Sequence, residues 1–333
     1  MKIGESMKKA GIVLALIFLI TIATFSGCIS QKKEDNGVDV NTTPPKQDGK
    51  TVSYLKAKIN ISQPYDLSDL NSSGQKVIVL RNSGMRLEAI VTLYGLTYTF
   101  DDTTMIPIIE TQEEAIKAFD KLPNEAKMYV MASEIYDENG KVVEGVWGSG
   151  TVVWDAHMRD KVALRYAKED ANYNLYGTAY LIMKDQRTIV TVDESPYLKG
   201  GYEYWWMQPA TDTISSKKAL GYGPYATLYA ALMRSLMVPT KVVYGLYYDI
   251  EEGGVWKPYA WNEIYFNGKW IPVDPYREKI GVLSRYYFAL DKTVDLVDLD
   301  LSCYRSNLEG KGCKPFEIEI LEQGTVLESE IKK

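Results

Sequence analysis

The spacing of apolar and polar positions along the chain predicts strands first and then a helix. Residues 76–80 and 87–94 are rich in β-branched and apolar side chains, which is typical of strands. Thr111 followed by Glu114 has the form of a capping box, in which two side chains satisfy free backbone N–H groups at a helix start. Apolar residues on one face continue this helix until Pro123, which cannot extend it.

The middle of the chain predicts a hairpin, a second helix and a further pair of strands. Residues 127–136 and 141–147 are the arms of the hairpin, and the Glu-Asn-Gly sequence at 138–140 is its turn. Residues 155–170 carry apolar side chains four positions apart, as one face of a helix requires. Residues 175–195 indicate two more strands.

The pattern is sharpest in the C-terminal half of the chain. Residues 222–237 present an apolar stripe at helical spacing, and Pro239 blocks continuation of this helix. Residues 241–248, 259–266 and 269–275 then predict three antiparallel strands, the last two joined by a tight Asn-Gly turn. The expected fold class is therefore α+β, with a helix packed on an antiparallel β-sheet.

The N-terminus has the features of an export signal. Residues 1–9 are basic, residues 10–22 contain no charge, and small residues precede Cys28. Ser-Gly-Cys at this point resembles the lipobox of prokaryotic lipoproteins, whose cysteine carries lipid, although Phe25 stands where leucine is usual. The alternative is an uncleaved transmembrane anchor over residues 10–23. Both interpretations place the rest of the chain on the outer face of the cell membrane.

The residues that follow agree with this location. Residues 29–50 are polar, with few apolar side chains to bury, and are predicted to be a flexible tether. Asn41, Asn60 and Asn71 each begin an Asn-X-Ser/Thr pattern, which marks a candidate N-glycosylation site in an exported protein.

Cysteine usage also indicates an oxidising compartment. The chain has three cysteines, and once Cys28 is assigned to lipid, Cys303 and Cys313 remain close together in sequence. We expect a disulfide between them, which would stabilise the fold by roughly 2.5–3 kcal/mol through the closed loop. The alternative is a reactive thiol, which needs an activating base, and the chain has a single histidine, His157.

Composition narrows the classes of function. Hydrophobic residues make up 46% and charged residues 25% of the 333 residues, as in a globular protein with a substantial core. The net charge of −6 argues against nucleic acid as a partner and against a polybasic membrane patch. The sequence contains no metal-ligand spacing and no phosphate-binding loop, so neither a metal nor a cofactor is expected.

Three segments of the C-terminal half resemble the transglutaminase-like superfamily, whose fold is related to that of papain-like thiol proteases. Ala226 and residues 230–245 are similar to the family's nucleophile helix and the strand after it. Residues 260–265 are similar to its histidine strand, and residues 270–275 to its aspartate strand. The segments occur in the family's order and spacing.

The sequence patterns and the resemblance together predict an organisation for the whole chain. A signal peptide over residues 1–28 and the tether over 29–50 precede the folded part. Residues 51–150 are expected to form an N-terminal α/β extension, rich in strands and with one helix. The transglutaminase-like domain is expected over residues 151–325.

The resemblance also locates the family's catalytic triad, and two of its residues are replaced. The cysteine position falls on Tyr222 and the histidine position on Tyr259, whereas Asp274 is kept; a shift of one residue would give Gly221 or Gly223. A phenol with a pKa near 10 is only about 0.1% ionised at neutral pH and cannot replace thiolate or imidazole. Loss of nucleophile or base alone slows a triad enzyme by a factor on the order of 10⁴–10⁶.

Two interpretations of the replaced positions stay open. The tyrosines are either core aromatics in a closed cleft or part of an aromatic groove for a peptide or glycan. The residues that would line such a groove are Tyr222, Tyr225, Tyr259, Trp261 and Tyr276.

Other conspicuous positions favour structural roles. Asp274 is expected to hold the Tyr259 hydroxyl or to cap a turn, and His157 to lie at the surface near a helix start. The pair at 205–206, both tryptophan, is expected to pack against the helix. Met237 stands where the family often has glycine, so we expect the left-handed helix cap to be lost.

The expected function is therefore binding or scaffolding of polypeptide or envelope material by a catalytically inactive domain. The alternative is an extracytoplasmic hydrolase or transferase that uses a different site, for which Glu263 with Asp274 is the candidate pair. A purely structural component of the envelope is the third hypothesis.

Overall fold

The structure, a computed structural model, describes residues 50–331 apart from several short segments. The residues left out of this range are 63–66, 68–69, 73, 85, 100–102, 110, 132, 137–140, 194–206 and 297–315. The described elements belong to one compact unit, Gly49–Lys333. This unit contains both the predicted extension, residues 51–150, and the predicted domain, residues 151–325.

The described residues form two main sheets, three smaller sheets and a set of helices. The strands are β1 (Thr51–Ile61), β2 (Gln75–Asn82), β3 (Leu87–Tyr94), β4 (Leu96–Thr97), β5 (Ser133–Tyr136), β6 (Val142–Ser149), β7 (Val152–Asp155), β8 (Thr191–Val192), β9 (Lys218–Ala219), β10 (Thr240–Asp249), β11 (Val255–Phe266), β12 (Lys269–Asp274), β13 (Lys279–Ile280), β14 (Val282–Leu283), β15 (Tyr287–Thr293) and β16 (Phe316–Leu327). The helices are α1 (Gln112–Asp120), α2 (Asn124–Lys127), α3 (Leu175–Ile189), α4 (Ala210–Ser216), α5 (Tyr222–Arg234) and α6 (Glu328–Ile331). Within these ranges, no helix has both the length and the apolar character that crossing a membrane would need.

The first sheet joins the two ends of the folded unit. Its four strands are antiparallel, in the order β16-β1-β3-β2. Along β3 every second side chain is buried and the residues between are partly exposed, so one face covers the core. The pairing of β1 with β16 runs from Thr51 opposite Leu327 to Ile61 opposite Phe316.

The central sheet carries helix α5 on one face. Its five strands have the order β13-β12-β11-β10-β15, and each neighbouring pair is antiparallel. Asn262 of β11 faces the helix and donates a hydrogen bond to the carbonyl of Ala226, 3.0 Å away. The predicted helix on three antiparallel strands is confirmed, and β13 and β15 extend the sheet on either side.

The prediction of a strand pair at 175–195 is wrong, because α3 occupies most of this segment. Asn174 caps the helix, its side-chain oxygen accepting the N–H of Gly177 at 2.7 Å. Leu175, Ala179 and Ile182 are buried at helical spacing. Two tyrosines and several β-branched residues here favour a strand locally, but burial of this face against neighbouring helices decides the structure. Only the short strand β8 remains of the predicted pair.

The helix predicted at 155–170 is present in an altered form. Asp155 ends β7, and its carboxylate accepts the N–H of Met158 at 2.7 Å, as a helix cap does. The chain then forms two π-helical segments, Met158–Ala163 and Tyr166–Asp170.

Signals around the first helix are confirmed in detail. Thr111 caps α1, and both bonds of the capping box with Glu114 are present. Pro123 starts the next short helix, α2, so Lys127 is helical and the predicted hairpin arm begins later, at β5. Strands β5 and β6 pair in antiparallel fashion, and the predicted turn at 137–140 lies outside the described residues.

Helix α5 ends three residues before the predicted limit, with a left-handed cap. Met237 has φ 58°, its N–H donates to the carbonyl of Arg234 at 2.9 Å, and the N–H of Val238 donates to the carbonyl of Met233 at 3.1 Å. The expectation that Met237 loses this cap is wrong. The backbone bonds form without glycine, at the conformational cost that a side chain meets in this region.

Candidate functional site

Tyr222 stands at the N-terminus of α5, where the resemblance places a nucleophile. It follows Gly221, which has φ 101° and ψ −179°, a conformation that side chains strongly disfavour. The half-buried Tyr222 ring packs against two other phenols, with its centroid 4.5 Å from that of Tyr259 and 4.9 Å from that of Tyr276.

Tyr259 and Asp274 lie on neighbouring strands and are joined by hydrogen bonds. The pairing of β11 with β12 brings the end of β12 beside the middle of β11. The Tyr259 hydroxyl donates to the Asp274 carboxylate, 3.0 Å from Oδ1 and 2.9 Å from Oδ2. Both side chains are buried, with 2% and 4% of their surfaces exposed. This contact is the one that the sequence led us to expect for Asp274.

The sequence did not predict the other two donors to Asp274. The Tyr287 hydroxyl from β15 donates to Oδ2 at 2.5 Å, and the backbone N–H of Arg277 donates to Oδ1 at 3.0 Å. Tyr287 lies two strands away from β11 in the sheet, and no motif marks it in the sequence. We call Tyr259, Asp274 and Tyr287 the phenol–carboxylate cluster.

Burial controls the protonation of the phenol–carboxylate cluster. It raises the pKa of Asp274 above the ordinary value, and the bonds from Tyr287, the Arg277 N–H and Tyr259 only partly offset this rise. Burial also raises the pKa of Tyr259 and Tyr287 well above 10, and the nearby Asp274 charge adds to the effect. At neutral pH both phenols are therefore hydrogen-bond donors rather than phenolates.

Further aromatic and cationic groups close the space around the phenol–carboxylate cluster. The Tyr247 ring lies 5.4 Å from that of Tyr259 and 5.1 Å from that of Tyr287. The guanidinium of Arg277 lies over the Tyr247 ring, 3.9 Å from its centroid. Such a guanidinium–aromatic contact is stabilising, since the ring face carries negative charge.

The five residues of the predicted aromatic groove are packed together rather than open. Tyr225, Tyr259 and Trp261 expose only 1%, 2% and 3% of their surfaces. Tyr276 meets Tyr225 edge to face at 5.7 Å, and Arg187 covers its ring at 4.5 Å. At these three positions the protein's own side chains fill the space, a geometry that fits the closed-cleft interpretation better than the open groove.

Glu263 and Asp274 are held by different partners. A Glu263 oxygen lies 2.7 Å from the ammonium of Lys292 on β15. In the register of the sheet, Glu263 is opposite Pro272, which places Asp274 about 7 Å further along the neighbouring strand. Because the phenol–carboxylate cluster already occupies both oxygens of Asp274, the geometry does not favour this pair as an acid–base couple.

The remaining predicted positions lie away from the phenol–carboxylate cluster. His157 is exposed at the start of the first π-helical segment, so it does not belong to the buried group. Asn60 is exposed on β1, and the exposed Asn71 accepts the N–H of Val77 at 2.8 Å. Over the described ranges, no group of three or more His, Cys, Asp or Glu side chains could hold a metal ion. The predictions outside these ranges concern Cys28, Asn41, Trp205, Trp206, Cys303 and Cys313.

Part of the chain matches the model of a known protein family. Residues 176–275 match the model of the transglutaminase-like superfamily, a range that contains Tyr222, Tyr259 and Asp274. No match was found among curated proteins.

Several solved structures are similar to the chain at low sequence identity. A candidate cysteine protease from Cytophaga hutchinsonii is 13% identical with a TM-score of 0.45, over 83% of this chain and 88% of that chain. Red sea bream transglutaminase is 12% identical with a TM-score of 0.31, over 67% of this chain and 46% of that chain. A further transglutaminase is 15% identical with a TM-score of 0.23, over 62% and 46%. The chain thus spans less than half of the length of either transglutaminase.

Proposed function

Residues 176–275 form a transglutaminase-like domain, and we propose that this domain is catalytically silent and serves in binding or scaffolding. The observation that carries the proposal is the phenol–carboxylate cluster at the position of the family's triad. Its three side chains satisfy one another in a buried site. An acyl-transfer site would instead need a reactive thiol and a base that can exchange a proton.

The protonation of the tyrosines supports this proposal. The pKa of Tyr259 is raised well above 10 by burial and by Asp274, so it cannot accept a proton from a nucleophile at neutral pH. The Tyr222 ring stands between two other phenols at the helix N-terminus, where a small thiol would leave room for a substrate.

The proposal places the domain on the outer face of the cell membrane. The lipobox-like sequence ending in Cys28 and the polar residues 29–50 support a lipid anchor followed by a tether. A single N-terminal membrane pass is the alternative anchor. Incorporation of labelled palmitate into wild type, with loss of the label in Cys28→Ser, would support the lipid anchor, whereas equal labelling would exclude it.

Activity of the full-length protein in detergent tests the silent-domain proposal. We expect no transfer of an amine donor to a glutamine peptide and no cleavage of peptide substrates above the level of buffer. Reproducible turnover by wild type that disappears in Asp274→Asn would overturn the proposal, since it would show that the site is catalytic.

Restoring the family's residues gives a complementary test. The double substitution Tyr222→Cys with Tyr259→His is expected to produce measurable transfer or hydrolysis, because Asp274 already holds the group at position 259. Each single substitution is the matched control and should stay inactive. A folded double variant without activity would contradict the assignment of positions 222 and 259 to the triad.

A further inference from the structure

A cavity lies on the face of the central sheet that points away from α5. Its volume is about 320 Å³, and the sheet contributes Lys241, Trp261 and Glu263 to its lining. Lys241 is paired with Glu263 across β10 and β11, and Trp261 stands two residues earlier on the same face of β11. Asn262 between them points to α5. We call this space the sheet-face cavity.

Two buried polar atoms in the sheet-face cavity lack a protein partner. Trp261 Nε1 and Glu263 Oε2 make no hydrogen bond with any residue in the described part of the chain. The two residues expose only 3% and 9% of their surfaces. Leaving such groups unpaired is unfavourable, so a ligand that satisfies both removes this cost on binding. A hydroxyl group can accept from the indole N–H and donate to the carboxylate.

The charge of the sheet-face cavity favours an anionic ligand. Among its described lining residues, Lys241, Lys269 and Lys292 face a single carboxylate, Glu263. Lys292 already neutralises Glu263 at 2.7 Å, which leaves an excess of positive charge. A ligand ammonium group would be repelled here, whereas neutral hydroxyls and a carboxylate would not.

Lys241 is the cation that an anion would meet inside the cavity. Its ammonium lies over the Trp270 ring, 3.9 Å from the centroid, and is partly buried. Burial lowers the pKa of Lys241, and the charge of Lys292 lowers it further, while Glu263 partly offsets the effect. A bound anion would stabilise the charged form of this lysine.

Aromatic walls and size limit the ligand further. Trp261, Trp270 and Tyr98 contribute to the lining, and flat aromatic faces suit the apolar face of a sugar ring. The volume of the cavity lies at the small end of the range of roughly 300–1,000 Å³ for ligand pockets. The cavity therefore fits one sugar ring rather than a polysaccharide.

We propose that the sheet-face cavity binds an acidic sugar, a ring that carries both hydroxyl groups and a carboxylate. The hydroxyls pair with Trp261 Nε1 and Glu263 Oε2, and the carboxylate meets the lysines, first of all Lys241. This inference rests on the binding role proposed above but not on the absence of catalysis. Tyr287 of the phenol–carboxylate cluster also lines the cavity, but the groups proposed to bind the ligand belong to Lys241, Trp261 and Glu263, which lie outside that cluster.

Calorimetric titration of the full-length protein in detergent tests the ligand class. Sodium glucuronate is expected to bind saturably, and glucose about tenfold more weakly, the factor that corresponds to loss of about 1.4 kcal/mol of charge–charge attraction. Glutamate, which adds an ammonium group, is expected not to saturate. Absence of saturable glucuronate binding, or equal affinity for glucose, would overturn the proposal. Tighter binding of glutamate would replace it with a peptide-like ligand.

Two variants test the named atoms. Lys241→Met is expected to weaken glucuronate about tenfold and to leave glucose unchanged, because only the charge is removed. Trp261→Phe keeps an aromatic wall but deletes the N–H, and should weaken both sugars. Lys218→Met, at an exposed position of β9 outside the cavity lining, is the matched control and should change neither affinity. Thermal unfolding of each variant establishes that it is folded.

The outcomes of these titrations are separable from those of the activity test. Unchanged glucuronate affinity in Lys241→Met and Trp261→Phe would overturn the assignment of the sheet-face cavity. A protein that does not bind glucuronate and is also inert in the transfer assay would contradict this inference alone. Turnover by wild type would contradict catalytic silence and leave the cavity untouched.

Discussion

Asp274 is a buried carboxylate that two phenols and one backbone N–H hold in place. Burial of a carboxylate is unfavourable unless hydrogen bonds compensate, and here they compensate only in part, because the pKa of Asp274 remains raised. Asp274 therefore orients the two phenols. Its ionised form does not stabilise the folded protein in the way that a carboxylate with a lowered pKa does.

The raised pKa gives a testable pH dependence. The folded protein holds the proton of Asp274 more tightly than the unfolded chain, whose aspartate pKa is about 3.9. The stabilising contribution is thus fully present below about pH 3.9 and is lost as pH rises through the folded pKa. In urea unfolding, the free energy of unfolding of wild type minus that of Asp274→Asn should fall as pH rises from about 4 towards neutrality.

Asp249 provides a matched control with the opposite sign. Burial alone would raise its pKa, but bonds from the Glu252 N–H and the Lys257 ammonium outweigh burial and lower the pKa. Its contribution is present above about pH 3.9 and is lost as pH falls through the folded pKa. The corresponding difference for Asp249→Asn should therefore rise with pH. If the free energy of unfolding of wild type minus that of Asp274→Asn also rises with pH, the hydrogen bonds to Asp274 outweigh burial in setting its pKa.

At the scale of elements, helix α5 is fixed at its start by a glycine with positive φ and at its end by a buried arginine. Gly221 allows the chain to turn into its first residue. Its last residue, Arg234, is fully buried and donates to the carbonyls of Thr240 and Val294. Burial lowers the pKa of this guanidinium to about 10, so it stays charged at neutral pH. These contacts fix the helix against the central sheet.

The left-handed cap after α5 predicts that the relative stability of the alanine and glycine variants is opposite at Met237 and at Ser235. At Met237, with φ 58°, glycine should give a protein about 1 kcal/mol more stable than alanine does, because only alanine is strained there. At Ser235, with φ −61°, alanine should be the more stable by about 1 kcal/mol. Urea unfolding of the four variants measures both differences. The same order at both positions would contradict the cap at Met237.

At the scale of the whole molecule, side chains link the N-terminal sheet region to the central sheet. The Gln75 amide at the start of β2 exchanges two hydrogen bonds with the backbone of Ala289 in β15, at 3.0 and 2.9 Å. Asp295 accepts the N–H groups of Thr151 and Val152 at the start of β7. The two regions are therefore expected to unfold together.

Removal of the Gln75 link tests this coupling. Gln75→Ala leaves the buried N–H and carbonyl of Ala289 without partners and should lower the free energy of unfolding by about 3 kcal/mol. Asn82→Ala, at the exposed end of the same strand, loses only its bond to the Gly84 N–H and should change the free energy by less than about 0.5 kcal/mol. Unfolding of both variants should remain a single transition. Two separated transitions would show that the regions are independent.

Local signals were sufficient for the elements whose caps and turns lie close together in sequence. The capping box at Thr111 and the Asn-Gly turn at 267–268 depend on neighbours within a few residues, and both are present in the structure. The segment 175–189 is different, because its side chains favour a strand locally and only packing against other helices makes it helical.

The sequence alone determined three groups of the candidate site, because residue identity at 222, 259 and 274 follows from motif order along the chain. Only the tertiary structure added the other partners of Asp274 and decided how deeply each group is buried. Tyr287 reaches Asp274 from a strand three positions away in the sheet. Burial, which sets the pKa of each group, arises when distant segments pack together. The sheet-face cavity arises in the same way, since its charges and unpaired atoms come from strands that meet only in the folded chain.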